Sequence, residues 1–287
     1  LGDVYKRQFQ GEFMKKIAVI GLGIIGSSIC RALRKAGCFV AGSDLDGMTL
    51  SYAKNQGYIQ EEAENFTEYD AVFLAVPPRA AIALLESAEF KEGAFVADVC
   101  GIKAEIERAV FSAPRRYRYI GLHPMAGKET SGILSSSEEM FDGANLVVVV
   151  SPKTEKSAIE EALAFAKLMN FGRITECSAE EHDKKIALTS QLAHLVSSAY
   201  VKSPSARNCE GFTGGSFQDM TRIAGVDERI WSQLYLYNRS NILAELDGLI
   251  ENLKVYRDAI FQGDERTLSA ELKTGRLLRE EIKSGKE

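Results

Sequence analysis

Three histidines, one arginine and a glycine-rich turn carry most of the chemistry this sequence offers. Histidine is the side chain that titrates nearest neutral pH, so His123, His182 and His194 are each weighed as proton acceptors. His123 lies in Gly121-Leu122-His123-Pro124-Met125-Ala126-Gly127, followed by Lys128 and Glu129. A neutral imidazole there can accept a hydrogen bond and then a proton from a substrate hydroxyl. The alternative is a loop histidine satisfied by its surroundings. Ser190 and Gln191 precede His194 by four and three residues, which sets all three near one face of a helix. His194 reads either as a ligand contact on that face or as core. Arg222 presents two parallel N–H groups to a carboxylate, or else forms an ion pair with Asp219 or Asp227. His182 stands in the charged run Glu180-Glu181-His182-Asp183 and reads as structural or solvated, and Trp231 reads as core.

The glycine-rich turn is Gly21-Leu22-Gly23-Ile24-Ile25-Gly26. It follows an apolar strand pattern (KKIAVI) and opens a helical one (IIGSSICRALRKAG), the context that G-x-G-x-x-G requires for a dinucleotide. Gly21 allows the tight turn, Gly23 admits the pyrophosphate, and Gly26 permits close helix–strand packing. Ile24 and Ile25 open a helix whose free N–H groups face the phosphates. Asp44, at the end of the next strand pattern, is positioned to accept hydrogen bonds from the ribose hydroxyls and to repel a 2′-phosphate, which favours NAD over NADP. Asp46 is the less favoured reader. Val76 and Pro77, after a third strand pattern, and Cys100 and Gly101, after a fourth, complete the expected cofactor-binding set.

The elements that must position these groups fall into two halves. Ile17–Ile20, Phe39–Gly42, Ala71–Val76, Phe95–Asp98 and Asn145–Val150 are continuous apolar runs, as expected of strands buried on both faces of a parallel sheet. Helical patterns alternate with them, and a last helix–strand pair is expected at 155–169 and 172–176. From Ser178 onward the pattern is helical, opened by a capping box of Ser178 and Glu181. The expected fold is a doubly wound α/β Rossmann domain at 14–177, followed by an all-α domain for substrate binding and dimerisation at 178–287. Expected helices run over 179–200, 217–224, 228–262 and 265–284, with a Ser/Gly/Asn-rich loop at 203–216. The many large apolar residues between Trp231 and Phe261 call for a homodimer to cover them. Residues 1–13, which begin with Leu, read as an extension outside the fold.

Composition excludes several classes. With 35 Lys+Arg against 40 Asp+Glu among 287 residues, there is no basic stripe for nucleic acid. No uncharged apolar run is long enough for a membrane helix. Five cysteines, an odd number with no C-x-x-C pair, read as reduced thiols in the cytoplasm and not as a disulfide framework or zinc site.

The segment from Gly121 to Gly127 resembles the G-x-H-P-M-A-G motif of the prephenate and arogenate dehydrogenase family. Asp98-Val99-Cys100-Gly101-Ile102-Lys103 resembles that family's D-x-x-S-x-K, and Ser190-Gln191-Leu192-Ala193-His194 its S-H-L-P-H. Phe217-Gln218-Asp219-Met220-Thr221-Arg222-Ile223-Ala224 with Trp231 is similar to its F-x-D-x-T-R-I-A…W. The motifs occur in the family's order. The resemblance implies NAD-dependent oxidative decarboxylation of prephenate to 4-hydroxyphenylpyruvate, on the way to tyrosine. It implies His123 as the catalytic base and Ser190, Gln191, His194, Arg222, Lys128 and Glu129 around the substrate. This chain departs from the pattern at Gly101 (family Ser), Gln191 (His) and Ala193 (Pro). The thiol of Cys100 is a weak substitute for the missing hydroxyl. Arogenate is the close alternative substrate. A β-hydroxyacid-type dehydrogenase and a catalytically silent NAD-binding protein are the other readings. Neither a mutase segment nor a regulatory domain is expected.

Overall fold

The computed structural model describes residues 15–128 and 130–285. By compactness the chain divides into a unit ending at Asn238 and a unit from Arg239 onward.

The first unit is built on one eight-stranded sheet, ordered β3-β2-β1-β4-β5-β6-β7-β8. Its strands are β1 (Lys16–Ile20), β2 (Phe39–Ser43), β3 (Glu61–Glu62), β4 (Ala71–Leu74), β5 (Phe95–Asp98), β6 (Arg118–Met125), β7 (Asn145–Val149) and β8 (Arg173–Cys177). Helices α1 (Ile24–Lys35), α2 (Gly47–Asn55), α3 (Pro78–Ser87), α4 (Ala104–Val110) and α5 (Lys156–Leu168) connect them. The apolar runs fill both faces. Ile17 and Val19 of β1 join one core, with Phe73, Phe95 and Phe165. Ala18 and Ile20 join the other, with Ala81 and Leu85 of α3 and Ile106 of α4.

Strand β6 lies outside the apolar runs read from the sequence, because Arg118, Gly121, His123 and Pro124 break its pattern. It pairs parallel with β5, Asp98 opposite Gly121, and antiparallel with β7, His123 opposite Val147. The sheet is therefore mixed where a parallel one is expected. Among the described residues no α-helix lies between β6 and β7, and an antiparallel neighbour needs no helical crossover.

The helices after β8 that belong to this unit are α6 (Ala179–Ile186), α7 (Ala193–Tyr200), α8 (Gly215–Thr221) and α9 (Glu228–Tyr237). Ser178 caps α6, its hydroxyl accepting from the Glu181 N–H at 3.1 Å. The continuous helix expected over 179–200 is interrupted by a π-helical segment at Ala187–Leu192, a feature that often marks functional sites. The helix expected over 228–262 breaks at Asn238. Leu234 and Tyr237 of α9 pack on the second core, and Gln233 accepts from the Arg79 N–H at the start of α3 at 3.2 Å. The change from sheet to helices falls at residues 177–178, whereas the compact unit extends to Asn238.

The second unit is a pair of packed helices, α10 (Arg239–Gln262) and α11 (Glu265–Ser284). Gly263 at φ +67° makes the turn, and Asp264 caps α11 through the Thr267 N–H at 3.0 Å. Leu253, Ile260, Phe261, Leu278 and Ile282 are exposed on this pair. No helix among the described residues is long and apolar enough to cross a membrane.

Candidate active site

The glycine turn joins β1 to α1. Gly21 has φ +90°, and a side chain there would press on the Ala75 carbonyl. A Cβ on Gly26 would overlap the Gly21 carbonyl, whereas around Gly23 the space is open. The start of α1 carries no side-chain cap, so the N–H groups at Ile24 and Ile25 are not tied up by one. Asp44 follows β2, and its carboxylate accepts from the Leu22 N–H at 2.6 Å and the Asp46 N–H at 2.9 Å. It thus touches the glycine turn itself. The Asp46 carboxylate caps α2, accepting from the Met48 and Thr49 N–H groups and the Thr49 hydroxyl. Asp44 thus adjoins the glycine turn, whereas Asp46 is engaged at the start of α2. An open cradle, bare helix N–H groups and an adjoining acid together fit a dinucleotide.

At the carboxyl ends of β4 and β5 lie Val76, Pro77, Cys100 and Gly101. Cys100 is buried and its thiol donates to the Val76 carbonyl at 3.3 Å. Burial, with Asp98 beside it, pushes the thiol well above the usual thiol range. Its one proton is committed to Val76, so it does not replace the missing serine hydroxyl. Gly101 does border His123: a Cβ built there would stand 3.9 Å from Nε2 of His123 and 3.5 Å from the Leu234 side chain.

His123 is on a strand and not in a loop. Because Asp98 ends β5 opposite Gly121, His123 stands two residues beyond that end, at the sheet's carboxyl edge. Tyr119, Gly121 and His123 share one face of β6 by alternation. Under that face lies a buried polar cluster. Lys103 and Asp98 are both fully buried and paired at 2.5 Å. Asp98 also accepts from the Tyr119 hydroxyl at 2.6 Å and the Cys100 N–H at 2.9 Å. Burial in the company of Asp98 holds the Tyr119 phenol well above its usual range, so it stays protonated and donates.

Of the two readings of His182, structural or solvated, the solvated one is corrected here. His182 is 2% exposed, and its Nε2 lies 2.8 Å from Nδ1 of His123. Its own Nδ1 lies 2.7 Å from the Asp183 carboxylate. Asp183 also accepts from the Lys103 N–H at 2.8 Å and the Ala104 N–H at 2.9 Å, at the start of α4. A carboxylate holding two backbone donors accepts from His182 as well, so the His182 proton sits on Nδ1 and its Nε2 is a lone pair. That lone pair accepts from Nδ1–H of His123, and Nε2 of His123 is left as a base facing Gly101. Burial first, then His182 and Lys103, push His123 well below the usual histidine range. Burial also lowers His182, with Asp183 opposing the shift. His182, Asp183 and Tyr119 were not assigned to the site from the sequence, and Asp98 and Lys103 entered only as the ends of the D-x-x-S-x-K resemblance. The signals were that segment and His182-Asp183 at a capped helix start.

The other expected substrate residues are dispersed. Gln191, in the π segment, is buried; its carbonyl accepts from the Asn238 side chain at 2.7 Å, while its N–H₂ has no partner. Asn238 also donates to the Asp183 carbonyl at 2.8 Å, which ties the π segment to the histidine chain. Ser190 is half-buried. His194 donates from Nδ1 to the Ile223 carbonyl at 2.8 Å, and its ring lies 4.1 Å from that of Trp231. Arg222 is exposed, at the start of the turn Arg222–Ala224 that this bond anchors. Of the two acids offered as its partner, Asp227 caps α9 and pairs with Arg229 at 3.0 Å. Lys128 donates to the Ser135 carbonyl at 3.3 Å, within its own loop. Glu129 lies outside the described residues.

A glycine-turn cradle on a largely parallel sheet, with a histidine base at the carboxyl edge, defines a dinucleotide-binding dehydrogenase of the α/β class. Residues 29–174 match the family model described as "Prephenate dehydrogenase, nucleotide-binding domain", and residues 178–274 match "Prephenate dehydrogenase, dimerization domain". The chain belongs to the prephenate dehydrogenase family. It is 30% identical to a prephenate dehydrogenase of Bacillus subtilis, over 91% of this chain and 74% of that one. It is likewise 30% identical to a cyclohexadienyl dehydrogenase of Zymomonas mobilis, over 87% of this chain and 90% of that one. Among solved structures it resembles the A. aeolicus prephenate dehydrogenase in complex with hydroxyphenyl propionate and NAD+. That likeness has a TM-score of 0.81 at 26% identity, covering 94% of this chain and 98% of that one.

Proposed function

We propose that this chain catalyses the NAD-dependent oxidative decarboxylation of prephenate to 4-hydroxyphenylpyruvate. The observation that carries the reading is an imidazole lone pair, Nε2 of His123, held at the sheet's carboxyl edge by the Asp183–His182 chain. Gly21, Gly23, Ile24, Ile25, Gly26 and Asp44 would hold NAD⁺, flanked by Val76, Pro77, Cys100 and Gly101, and the bound cofactor would supply the hydride acceptor. His123 accepts the hydrogen bond of the substrate's 4-hydroxyl and borrows its proton as the C4 hydride departs. The ring carboxylate then leaves as CO₂, its bonding pair completes the aromatic ring, and the proton returns to the phenolic oxygen. Arg222 holds a substrate carboxylate through two parallel N–H bonds, with Ser190, Gln191, His194, Lys128 and Glu129 around it.

The enzyme works as a homodimer joined through its helical part. The match of residues 178–274 to a dimerisation domain and the apolar side chains exposed on α10 and α11 support this. The five free cysteines support a reducing compartment, the cytoplasm. Arogenate has the same ring with an amino-acid side chain and is the second substrate to test, since one relative is named for cyclohexadienyl compounds generally.

NADH formation with prephenate and with arogenate, each with NAD⁺ and NADP⁺, tests the assignment. Prephenate with NAD⁺ is expected to be the productive pair. His123→Asn should lower turnover by about 10²–10⁴-fold while NAD⁺ still binds. Absence of turnover with either substrate, in protein that binds NAD⁺, overturns the reading.

A further inference from the structure

We infer that His182 and Asp183 are positioning residues that fix the His123 tautomer and hold the borrowed proton within the site until the product hydroxyl re-forms. This rests on the reading of His123 as the base.

The geometry leaves little freedom. Asp183 is anchored at both oxygens by the Lys103 and Ala104 N–H groups, and it accepts from His182 Nδ1. His182 can offer His123 only a lone pair, so His123 keeps its proton on Nδ1 and its base at Nε2. A ring free to flip or to change tautomer would present N–H to the substrate hydroxyl, and no base. The same chain conducts. When Nε2 of His123 takes the hydroxyl proton, its Nδ1 proton crosses 2.8 Å to Nε2 of His182. The positive charge then rests on His182 beside the Asp183 carboxylate. When the ring becomes aromatic, both transfers reverse and the hydroxyl regains its proton. The overall reaction neither consumes nor releases a proton, and the return of the borrowed one balances it.

The surroundings oppose a cation on His123 more than on His182. Lys103 faces both rings from the start of α4 and repels either cation, whereas Asp183 lies against His182. Asp98 attracts a cation on His182 from the end of β5, although its carboxylate is already paired with Lys103. Tyr119, on β6, donates to Asp98 and stays neutral. The resting place of the charge is therefore the inner ring, which is buried beneath the one that meets substrate.

Three variants in the full-length enzyme, followed by NADH formation across pH, test the inference. Asp183→Asn leaves the shape but lets the His182 tautomer reverse, and kcat should fall by about 10²–10⁴-fold with the KM values unchanged. His182→Gln keeps an amide oxygen for Nδ1–H of His123 but cannot take a proton. Its kcat should fall less, by about 10–10²-fold, with the acid limb of its pH profile displaced. His182→Leu removes the acceptor and should fall below Gln. Because Asp183→Asn deprives two backbone N–H groups of a charged partner and can fail to fold, the Gln and Leu pair carries the test independently. Equal activity of the Gln and Leu variants, or an unmoved kcat and pH profile in His182→Gln while His123→Asn is inactive, overturns the relay and leaves the base standing. Full activity in His123→Asn overturns both.

Discussion

The neutral state of His123 should be measurable without substrate, through the pH dependence of stability. In the folded chain its pKa lies well below 6.5 because burial, His182 and Lys103 all disfavour the cation. In the unfolded chain it returns to about 6.5. As pH falls, the unfolded state takes up a proton that the folded state refuses. The sign follows: stability is fully present above the unfolded value and is lost progressively as pH falls towards the folded one. For one such group the loss is RT ln 2, about 0.4 kcal/mol, at about pH 6.5, and about 1.4 kcal/mol at about pH 5.5, provided the folded value lies lower still. His123→Asn removes the titrating group, so the variant should lose about 1 kcal/mol less than the parent between those two conditions. His182 adds to the effect in the same direction. Urea unfolding at a series of pH values, at fixed protein concentration because a dimer's stability depends on it, reads the difference directly. Parallel curves for parent and variant would show that His123 titrates normally in the fold. The claim that it is held as a neutral base would then fail.

Two further perturbations address cofactor and substrate. Asp44→Ala should weaken NAD⁺ binding by roughly 10–10²-fold, the worth of hydrogen bonds to a charged acceptor, and should narrow the gap with NADP⁺. Titration with both nucleotides checks this, and an unaltered preference would assign the ribose to another group. Arg222→Ala should chiefly raise KM for prephenate with kcat less affected, as for a binding contact made in both ground and transition states; steady-state kinetics showing an unchanged KM would make Arg222 structural.

The dinucleotide half of the fold was legible because its signals are local. A strand, a glycine turn, a helix and an acid occur in order, and each apolar run of the parallel strands declares itself by continuity. Strand β6 was not, since Pro124 and the polar His123 interrupt its pattern while its pairing with β5 and β7 is long-range. The break at Asn238 was hidden for a similar reason. Its side chain is used to hold Asp183 and Gln191, two partners far away in sequence, and helix periodicity runs on across it.

The candidate site divides along the same line. His123 was singled out by its motif, but the partner of its Nδ1 is His182, backed by Asp183, and these two look like solvated charges in their own helix. Only the sheet brings them beneath β6. Gly101 illustrates the converse. From sequence, its lack of a hydroxyl weakens the case for catalysis. In the structure that position borders Nε2 of His123 and does not touch the Asp183–His182 chain at Nδ1, so orientation of the base is already secured from the opposite side of the ring. A serine there would add a donor to the nitrogen that must stay free for the substrate hydroxyl. The departure from the family pattern therefore changes what shares Nε2 and leaves intact what holds it.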